Sequence, residues 1–172
     1  MKRRVFGLVF MLLLAFGAKG QKMNQLSLQF SYNQLELGYQ RNLLFHNMWG
    51  EAFVGIGNQD INSRFDDFLA GVRVGVSAFS TEKNVVALNA VAGVYIPNNS
   101  YYNAAAPLLG GGIRYVRFIG RQNRHSVLIS AGYQYGKREY KQEYHSEALQ
   151  VETIGVFKVA PLYFSVGYGF NF

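Results

Sequence analysis

The sequence predicts an all-β protein, an antiparallel up-and-down transmembrane β-barrel with about eight strands. The main observation is segment 162–172, in which bulky apolar side chains alternate without a break with small or polar ones. Side chains alternate between the two faces of a strand, so this segment has one apolar face and one small or polar face. A strand with lipid on one side and a narrow lumen on the other requires this pattern. No run of about 20 apolar residues follows residue 20, which excludes spanning by helices.

The same alternation recurs along the chain and defines the candidate strands. Nine segments qualify, near residues 25–32, 34–43, 49–58, 67–79, 85–96, 108–119, 126–136, 148–158 and 162–172. Bacterial barrels of this kind have an even number of strands, so one candidate must be excluded or two must merge. Eight strands of about eleven residues leave enough chain for the connections, whereas ten leave too little.

Two arrangements give eight strands. In the first, 25–32 and 34–43 are separate strands, and 148–158 belongs to a long final loop. In the second, 25–43 is one bulged strand and 148–158 spans the membrane. The first arrangement places loops 59–66, 97–107 and 137–147 outside, where such barrels carry their longer loops, and it is favoured for that reason. The change of phase at Tyr32-Asn33-Gln34 fits either a bulge or a tight turn.

The N-terminal segment has the features of a cleaved secretory signal peptide. Lys2, Arg3 and Arg4 precede an apolar run that ends at Phe16, and the small residues Ala18 and Gly20 flank Lys19. We expect cleavage after Gly20, which gives two regions, a signal peptide at 1–20 and a barrel domain at 21–172. Removing four basic residues lowers the formal net charge from +7 to +3. The basic character is therefore mostly targeting signal, and no nucleic-acid partner is expected.

The chain has no cysteine, so an exported domain of this size needs another source of rigidity. A closed barrel supplies one, because every strand is paired on both edges. The mean hydropathy is near zero, as expected when half of each strand faces a polar interior.

Polar residues on the faces opposite the apolar ones predict a network inside the lumen. They are Glu36, Glu51, Arg73, Asn89, Arg114 and Gln134, with Gln40 beside them. An isolated buried charge is unfavourable, so these groups must be paired or hydrated. The lumen of an eight-stranded barrel is almost filled by side chains. A structural core of ion pairs is therefore favoured over a narrow ion path or proton relay.

The chain resembles the small eight-stranded outer-membrane barrels of Gram-negative bacteria, the OmpX and OmpA-barrel kind. The resemblance rests on the N-terminal signal, the alternating segments and the ending Tyr168-Gly169-Phe170-Asn171-Phe172. It implies location in the outer membrane, lipid and the barrel-assembly machinery as partners, and an assembly signal in the last strand, formed by Phe164, Val166, Tyr168, Phe170 and Phe172. A weaker similarity, to the TraO barrels of conjugative transposons, rests on segments 83–95 and 110–114 and on the Phe-Asn-Phe ending.

The histidines and aspartates do not predict a catalytic or metal site. In His145-Ser146-Glu147 the serine points away from both neighbours in an extended strand, so no base faces the hydroxyl. His125-Ser126 fails for the same reason. Asp60, Asp66 and Asp67 lack the spacing of a calcium loop. No dinucleotide, phosphate-loop or zinc motif is present, and we expect no enzyme activity, cofactor or metal.

Aromatic residues fall into two groups. Those near strand ends fit interface girdles; they are Tyr39, Trp49, Tyr115, Tyr133, Tyr135 and Phe172. Those in loops are candidate surface contacts for a partner protein or glycan; they are Tyr101, Tyr102, Tyr140 and Tyr144. Segment 137–144 alternates charge and tyrosine, which predicts a hairpin that protrudes beyond the lipid and offers edges for foreign strands.

The sequence is compatible with four functions. The favoured one is a non-enzymatic outer-membrane barrel with a structural or surface-interaction role and a surface or envelope protein as partner. The second is a component of a conjugative-transfer or secretion apparatus, and the third is a lipid A-modifying enzyme. The fourth is a soluble ligand-carrying barrel, which the apolar outward faces oppose because a soluble barrel is apolar inside and polar outside.

Overall fold

The structure, a computed structural model, describes residues 24–43, 47–58, 65, 67–98, 105–146 and 149–172. Of residues 142–146 and 149–151 it describes the backbone only. The described residues form ten strands. Their bounds are β1 Asn24–Ser31, β2 Gln34–Asn42, β3 Met48–Gly57, β4 Asp67–Ser80, β5 Asn84–Ile96, β6 Ala106–Ile119, β7 His125–Tyr135, β8 Lys137–Ser146, β9 Leu149–Lys158 and β10 Leu162–Asn171.

Eight of these strands close into an antiparallel barrel. Their order around the barrel is β1-β10-β7-β6-β5-β4-β3-β2, with β1 and β10 pairing to complete the circle. Strands β8 and β9 pair only with each other, as a separate two-stranded sheet. The predicted all-β fold and eight-stranded barrel are thus confirmed. No helix in the described part of the chain is long and apolar enough to cross a bilayer.

The structure also decides between the two strand arrangements. Strands β1 and β2 are separate and pair from Asn24↔Arg41 to Phe30↔Leu35, so the change of phase at residues 32–34 is a tight turn. The alternative, one bulged strand over 25–43 with 148–158 in the barrel wall, is wrong. Residues 137–146, within the segment expected to be a loop, instead form strand β8 of the β8–β9 hairpin.

The barrel has two different ends. At the turn end lie both chain termini of the described barrel and the connections β2–β3, β4–β5 and β6–β7. The hairpin end carries the connections β1–β2, β3–β4 and β5–β6 and the hairpin Lys137–Lys158, between β7 and β10. In the β6–β7 turn Gly120 and Asn123 have positive φ of 84° and 52°, a conformation that glycine and asparagine tolerate best.

Apolar and polar faces alternate along the barrel strands, and the apolar face points outward. In β4 the outward Val72, Val74 and Val76 are exposed, whereas the inward Leu69 and Arg73 are buried. Branched side chains such as valine suit the pleated strand surface, and the period of two places every second one on the outside.

Two apolar clusters inside the lumen lie toward its two ends. The hairpin-end cluster consists of Phe53, Leu69, Tyr95, Ala106, Leu108, Phe157 and Val159, and the turn-end cluster consists of Val116, Phe118 and Leu128. Phe157 belongs to β9 and Val159 follows it, so the root of the hairpin packs into the mouth of the barrel. The Phe157 and Tyr95 rings have centroids 5.6 Å apart. The lumen is therefore less polar than the sequence predicts.

Because Phe157 anchors the hairpin in the mouth of the barrel, we expect Phe157→Ala to destabilise the docked hairpin by about 3 kcal/mol, the usual effect of removing a buried phenylalanine. The measurement is the rate of tryptic cleavage within 137–158 on protein folded in detergent, together with the free energy of unfolding. The matched control is Ile154→Ala, whose side chain is 62% exposed on the same strand. Equal cleavage rates for the two variants would contradict the anchoring role.

Candidate functional site

The most unusual group of side chains is a cluster of four charged residues in the lumen. Glu36, Glu51, Arg73 and Arg114 come from β2, β3, β4 and β6. Each lies on the face of its strand that points into the lumen, opposite the exposed apolar residues. Each is at most 4% exposed. The structure therefore brings together four of the six residues predicted for a lumen network. We call these four the charged centre.

Glu51 is the middle of the charged centre, because both arginines bind its carboxylate. Arg73 Nη1 donates to Glu51 Oε1 at 2.7 Å, and Arg114 Nη1 donates to Glu51 Oε2. The other terminal nitrogen of Arg73 binds Glu36 Oε2. The charges thus alternate along the chain Glu36, Arg73, Glu51, Arg114, and the formal sum is zero.

Neutral polar side chains complete the hydrogen bonding around the charged centre. Gln29 Nε2 donates to Glu51 Oε1 at 3.3 Å, and Gln29 Oε1 accepts from Ser130 and Ser165, each at 3.4 Å. Arg114 also donates to Gln40 Oε1 at 3.2 Å and to Ser130 Oγ at 3.4 Å. These bonds connect β1, β7 and β10 to the strands that carry the charges, so the network reaches seven of the eight barrel strands.

Aromatic rings cover the two guanidinium groups. The centre of the Arg73 guanidinium lies 4.1 Å from the Phe53 ring centroid, and that of Arg114 lies 4.8 Å from the Trp49 ring. Such stacking adds an electrostatic attraction and excludes water from the ion pairs. Two glycines leave space for these side chains. A Cβ at Gly75 would collide with the Trp49 ring, and a Cβ at Gly38 would collide with Glu51 and Ser27.

The buried position of Trp49 corrects one expectation. The sequence placed Trp49 in an interface girdle because it lies near a strand end, but the side chain is only 4% exposed and points into the lumen. Trp49 lies two residues before the inward Glu51, and residues two apart on a strand share a face, so this spacing indicates an inward side chain. Gln29 and Phe53 were also missed as members of the site, although the same parity rule places both inside.

A small cavity lies beside the charged centre, lined by Glu36, Arg73, Arg114 and the glycines of β6, among others. The space open to the centre of a water molecule is about 20 Å³, enough for about one or two waters. Asn89 lines this cavity, as does Gln134, whose amide donates to the Ala160 carbonyl at 2.9 Å. Gln134 therefore ties the segment after β9 to the barrel wall and is not part of the charged centre.

The donors and acceptors of the charged centre are largely satisfied by one another. Two apolar clusters separate this centre from the two ends of the lumen. Pairing and dehydration together fit a structural core, since a buried charge is tolerated when it is paired and hydrogen-bonded. The arrangement cross-links strands that are distant in sequence and opposes any change of register between them.

Four of the five residues predicted as an assembly signal lie on the outward face of β10. Phe164, Val166, Tyr168 and Phe170 are exposed there, and Phe172 directly follows the strand and is also exposed. Tyr168 contacts His125 of the neighbouring β7 through its hydroxyl, and the His125 and Phe170 rings have centroids 5.7 Å apart. This strand is thus both the closing strand of the barrel and one of its most aromatic outer surfaces.

The predicted surface tyrosines are only partly described. Tyr140 lies in β8 and is half-buried, with its ring over Gly155 of β9, where an added Cβ would collide with it. Tyr144 also lies in β8, but its side chain is outside the described part, as are residues Tyr101 and Tyr102. The signal peptide 1–20 is likewise outside the described residues.

The described part of the hairpin carries two exposed ion pairs, Lys137–Glu139 and Lys141–Glu152. The hydrogen bond to Glu139 raises the pKa of Lys137, and the same bond lowers the pKa of Glu139. Lys141 pairs with Glu152 across the two strands at 2.5 Å. Exposed pairs of this type add little stability and are screened by salt.

No grouping of acidic, histidine or cysteine side chains suited to a metal ion occurs among the described residues. Asp67 accepts a hydrogen bond from the Asn98 backbone at 3.0 Å, whereas Asp60 and Asp66 lie outside the described residues.

Comparisons with protein-family models, with curated proteins and with solved structures found no match to this chain.

Because Arg73 neutralises both buried glutamates, we expect Arg73→Leu to lower the free energy of unfolding by about 3–5 kcal/mol, the usual effect of leaving a buried charge without its partner. The measurement is denaturant unfolding of the barrel in detergent micelles. The matched control, Arg117→Leu, removes an exposed arginine from β6 and should change stability by less than about 0.5 kcal/mol. Adding Glu36→Gln to Arg73→Leu should recover part of the loss, since one unpaired charge disappears. Equal stability of the Arg73 and Arg117 variants would remove the structural role of the charged centre.

Proposed function

We propose that the protein is a non-enzymatic integral barrel of the bacterial outer membrane, exported through a cleaved signal peptide at 1–20, with a structural or surface-interaction role in the cell envelope. The supporting observation is the inverted polarity of the barrel wall: the four residues of the charged centre are buried in the lumen, and large apolar side chains are exposed on the outside. Water would penalise such an outer surface, whereas hydrocarbon would not.

The apolar outer surface is present around the whole circumference. Exposed apolar side chains occur on every barrel strand, for example Leu28, Leu37, Val54, Val72, Leu88, Ile113, Ile129 and Phe164. Patches on monomeric soluble proteins are rarely continuous over more than a few hundred Å². The barrel strands have 8 to 14 residues, which agrees with the 9–11 residues that a tilted spanning strand needs.

Closed pairing makes this surface compatible with lipid. A bilayer core offers no water to unpaired backbone groups, so only helices and closed barrels span it. Pairing of β1 with β10 from Gln25↔Asn171 to Ser31↔Ser165 removes the last open edge. The lipid of the outer membrane is then the first partner of the outer face. The barrel-assembly machinery is the second, acting on β10.

The surface-interaction role falls to the β8–β9 hairpin. Its two strands form a separate two-stranded sheet in the described structure, so each strand has an outer edge that an extended strand of a surface or envelope protein can join. Ile154 and Val156 are exposed on the face that also carries the Lys137–Glu139 and Lys141–Glu152 pairs. Arg138 binds the Ala105 carbonyl at 3.2 Å, which fixes the root of the hairpin to the β5–β6 connection.

If the outer face contacts lipid, mature protein 21–172 will need detergent to remain monomeric. It will also run on a denaturing gel as a compact species when unheated and as a slower species after boiling, because a closed barrel resists detergent unfolding without heat. Reconstituted vesicles should protect the barrel strands from protease. A monomeric protein that stays in solution without detergent would refute the membrane assignment.

The absence of cysteine allows the orientation to be measured with single introduced thiols. We expect Lys141→Cys in the hairpin to react with a membrane-impermeant maleimide on intact cells, and Arg121→Cys at the turn end to react only after the outer membrane is permeabilised. The reason is that such barrels have short periplasmic turns and longer outer elements. Both positions are exposed in the folded protein, so the two variants control for each other. The opposite labelling pattern would place the hairpin in the periplasm.

A further inference from the structure

The two ends of the barrel differ in charge. At the turn end the described side chains include five cations, Arg41, Lys83, Arg117, Arg121 and Arg124, and one carboxylate, Glu82, which gives a net charge of +4. None of these five cations forms an ion pair with a described carboxylate. The hairpin segment 137–158 instead has four basic and four acidic residues in its sequence. The net positive charge of the mature chain is therefore concentrated at the turn end, whereas the charges of the hairpin segment cancel.

Four of the five cations form one patch on neighbouring strands. Lys83 is in the β4–β5 turn, Arg117 is on the outward face of β6, and Arg121 and Arg124 are in the β6–β7 turn. We call these four residues the basic patch. The Lys83 carbonyl accepts a hydrogen bond from the Phe118 backbone at 2.8 Å, which holds the β4–β5 turn against β6.

The β6–β7 turn is fixed on both sides, so the patch is preorganised. Asn123 Nδ2 donates to the Glu82 carbonyl at 3.0 Å, and the Asn123 carbonyl accepts from Asn171 Nδ2 at 2.9 Å. The Asn171 backbone nitrogen donates to the Arg124 carbonyl at 2.7 Å. The basic patch therefore sits on a hydrogen-bonded platform made by β4, β5, β6, β7 and β10.

The basic patch is continuous with the apolar outer surface. Arg117 lies on β6 between the outward residues Tyr115 and Ile119, and it pairs in register with Val127 of β7, which in turn pairs with Tyr168 of β10. Tyr115 donates to Asn84 Oδ1 at 2.7 Å, beside Lys83. Acyl chains packed on Ile113 and Ile119 would place a headgroup against these cations and phenols, the usual depth of interfacial aromatics.

We propose that the basic patch is a binding surface for anionic glycerophospholipids, with their phosphates on Arg117, Arg121, Arg124 and Lys83 and their chains on the apolar face of β6 and β7. The inference rests on the proposed membrane function and adds the lipid class and the residues that select it. A phospholipid is favoured because barrels of this kind have their short turns on the periplasmic side. In that orientation the basic patch lies at the periplasmic leaflet, which consists of phospholipid. Arginine binds phosphate oxygens through two parallel donors, and lysine adds a point charge.

A local quenching experiment tests the proposal on the mature full chain. A fluorophore on Ile119→Cys lies at the edge of the basic patch, and a fluorophore on Leu162→Cys reports the outer surface at the hairpin end. Each labelled protein is folded into phosphatidylcholine vesicles that contain a fixed fraction of phosphatidylglycerol. In one preparation the acyl chains of phosphatidylcholine are brominated, and in the other those of phosphatidylglycerol are brominated. The ratio of the two quenching efficiencies gives the local enrichment of phosphatidylglycerol at each label.

We expect about threefold enrichment of phosphatidylglycerol at residue 119 in low salt, in line with the attraction of several basic side chains for anionic lipid, and no enrichment at residue 162. Salt at 1 M should abolish the enrichment, because the screening length falls to about 3 Å. The triple variant Arg117→Gln, Arg121→Gln and Arg124→Gln should lose it. The matched variant Lys137→Gln, Arg138→Gln and Lys141→Gln removes the same charge from the hairpin end and should keep it.

Equal quenching by the two lipids at residue 119, or enrichment that survives the patch variant, would overturn the proposal. Heat-modifiable migration of every sample distinguishes failure of the proposed lipid site from failure of the proposed membrane function. Protein that inserts without enrichment refutes only the lipid site, whereas protein that does not insert refutes both the site and the membrane function.

Discussion

The carboxylate of Glu51, held between Arg73 and Arg114, is the contact on which the rest of the barrel depends. It places charges from β3, β4 and β6 at one point in the lumen, and Glu36 and Gln29 extend the network to β2 and β1. Hydrogen bonds along neighbouring strands define local pairing only. Contacts across the lumen connect strands on opposite sides of the barrel, so they also define how the sheet closes. Because these charges cancel, the interior can be polar without a hydrated channel, and the outer face is left free to be apolar.

The apolar clusters and the charged centre reinforce each other. Phe53 and Trp49 lie on the guanidinium groups, and the clusters beyond them keep water from both ends of the lumen. Ion pairs are stronger when water is excluded, and the same exclusion makes a missing partner more unfavourable. A lumen filled in this way supports the proposed structural role over an ion path. It also explains why the hairpin can project from one end: Phe157 and Val159 at its root belong to the barrel core, although most of the hairpin does not.

Local patterns in the sequence were sufficient for much of this fold. Alternation with a period of two identified the barrel strands and the inward parity of Glu36, Glu51, Arg73 and Arg114, and strand counting favoured eight. The same parity would have placed Trp49 in the lumen, but its nearness to a strand end suggested a girdle instead. The apolar lumen clusters were missed because the expectation of a polar lumen took precedence over residues such as Leu69, Leu108 and Leu128.

The sequence by itself determined which residues lie on the same face of each strand, because that property depends only on the alternation of side chains along the backbone. Tertiary structure decided which inward residues meet. Gln134 and Asn89 share the parity of the charged centre, yet Gln134 binds Ala160 and Asn89 lines the cavity beside that centre. Tertiary structure also decided that β8 and β9 leave the wall while β1 and β10 close it. Partners across a lumen depend on strand order and stagger around the whole barrel, and these are set by pairings between residues as much as 146 positions apart.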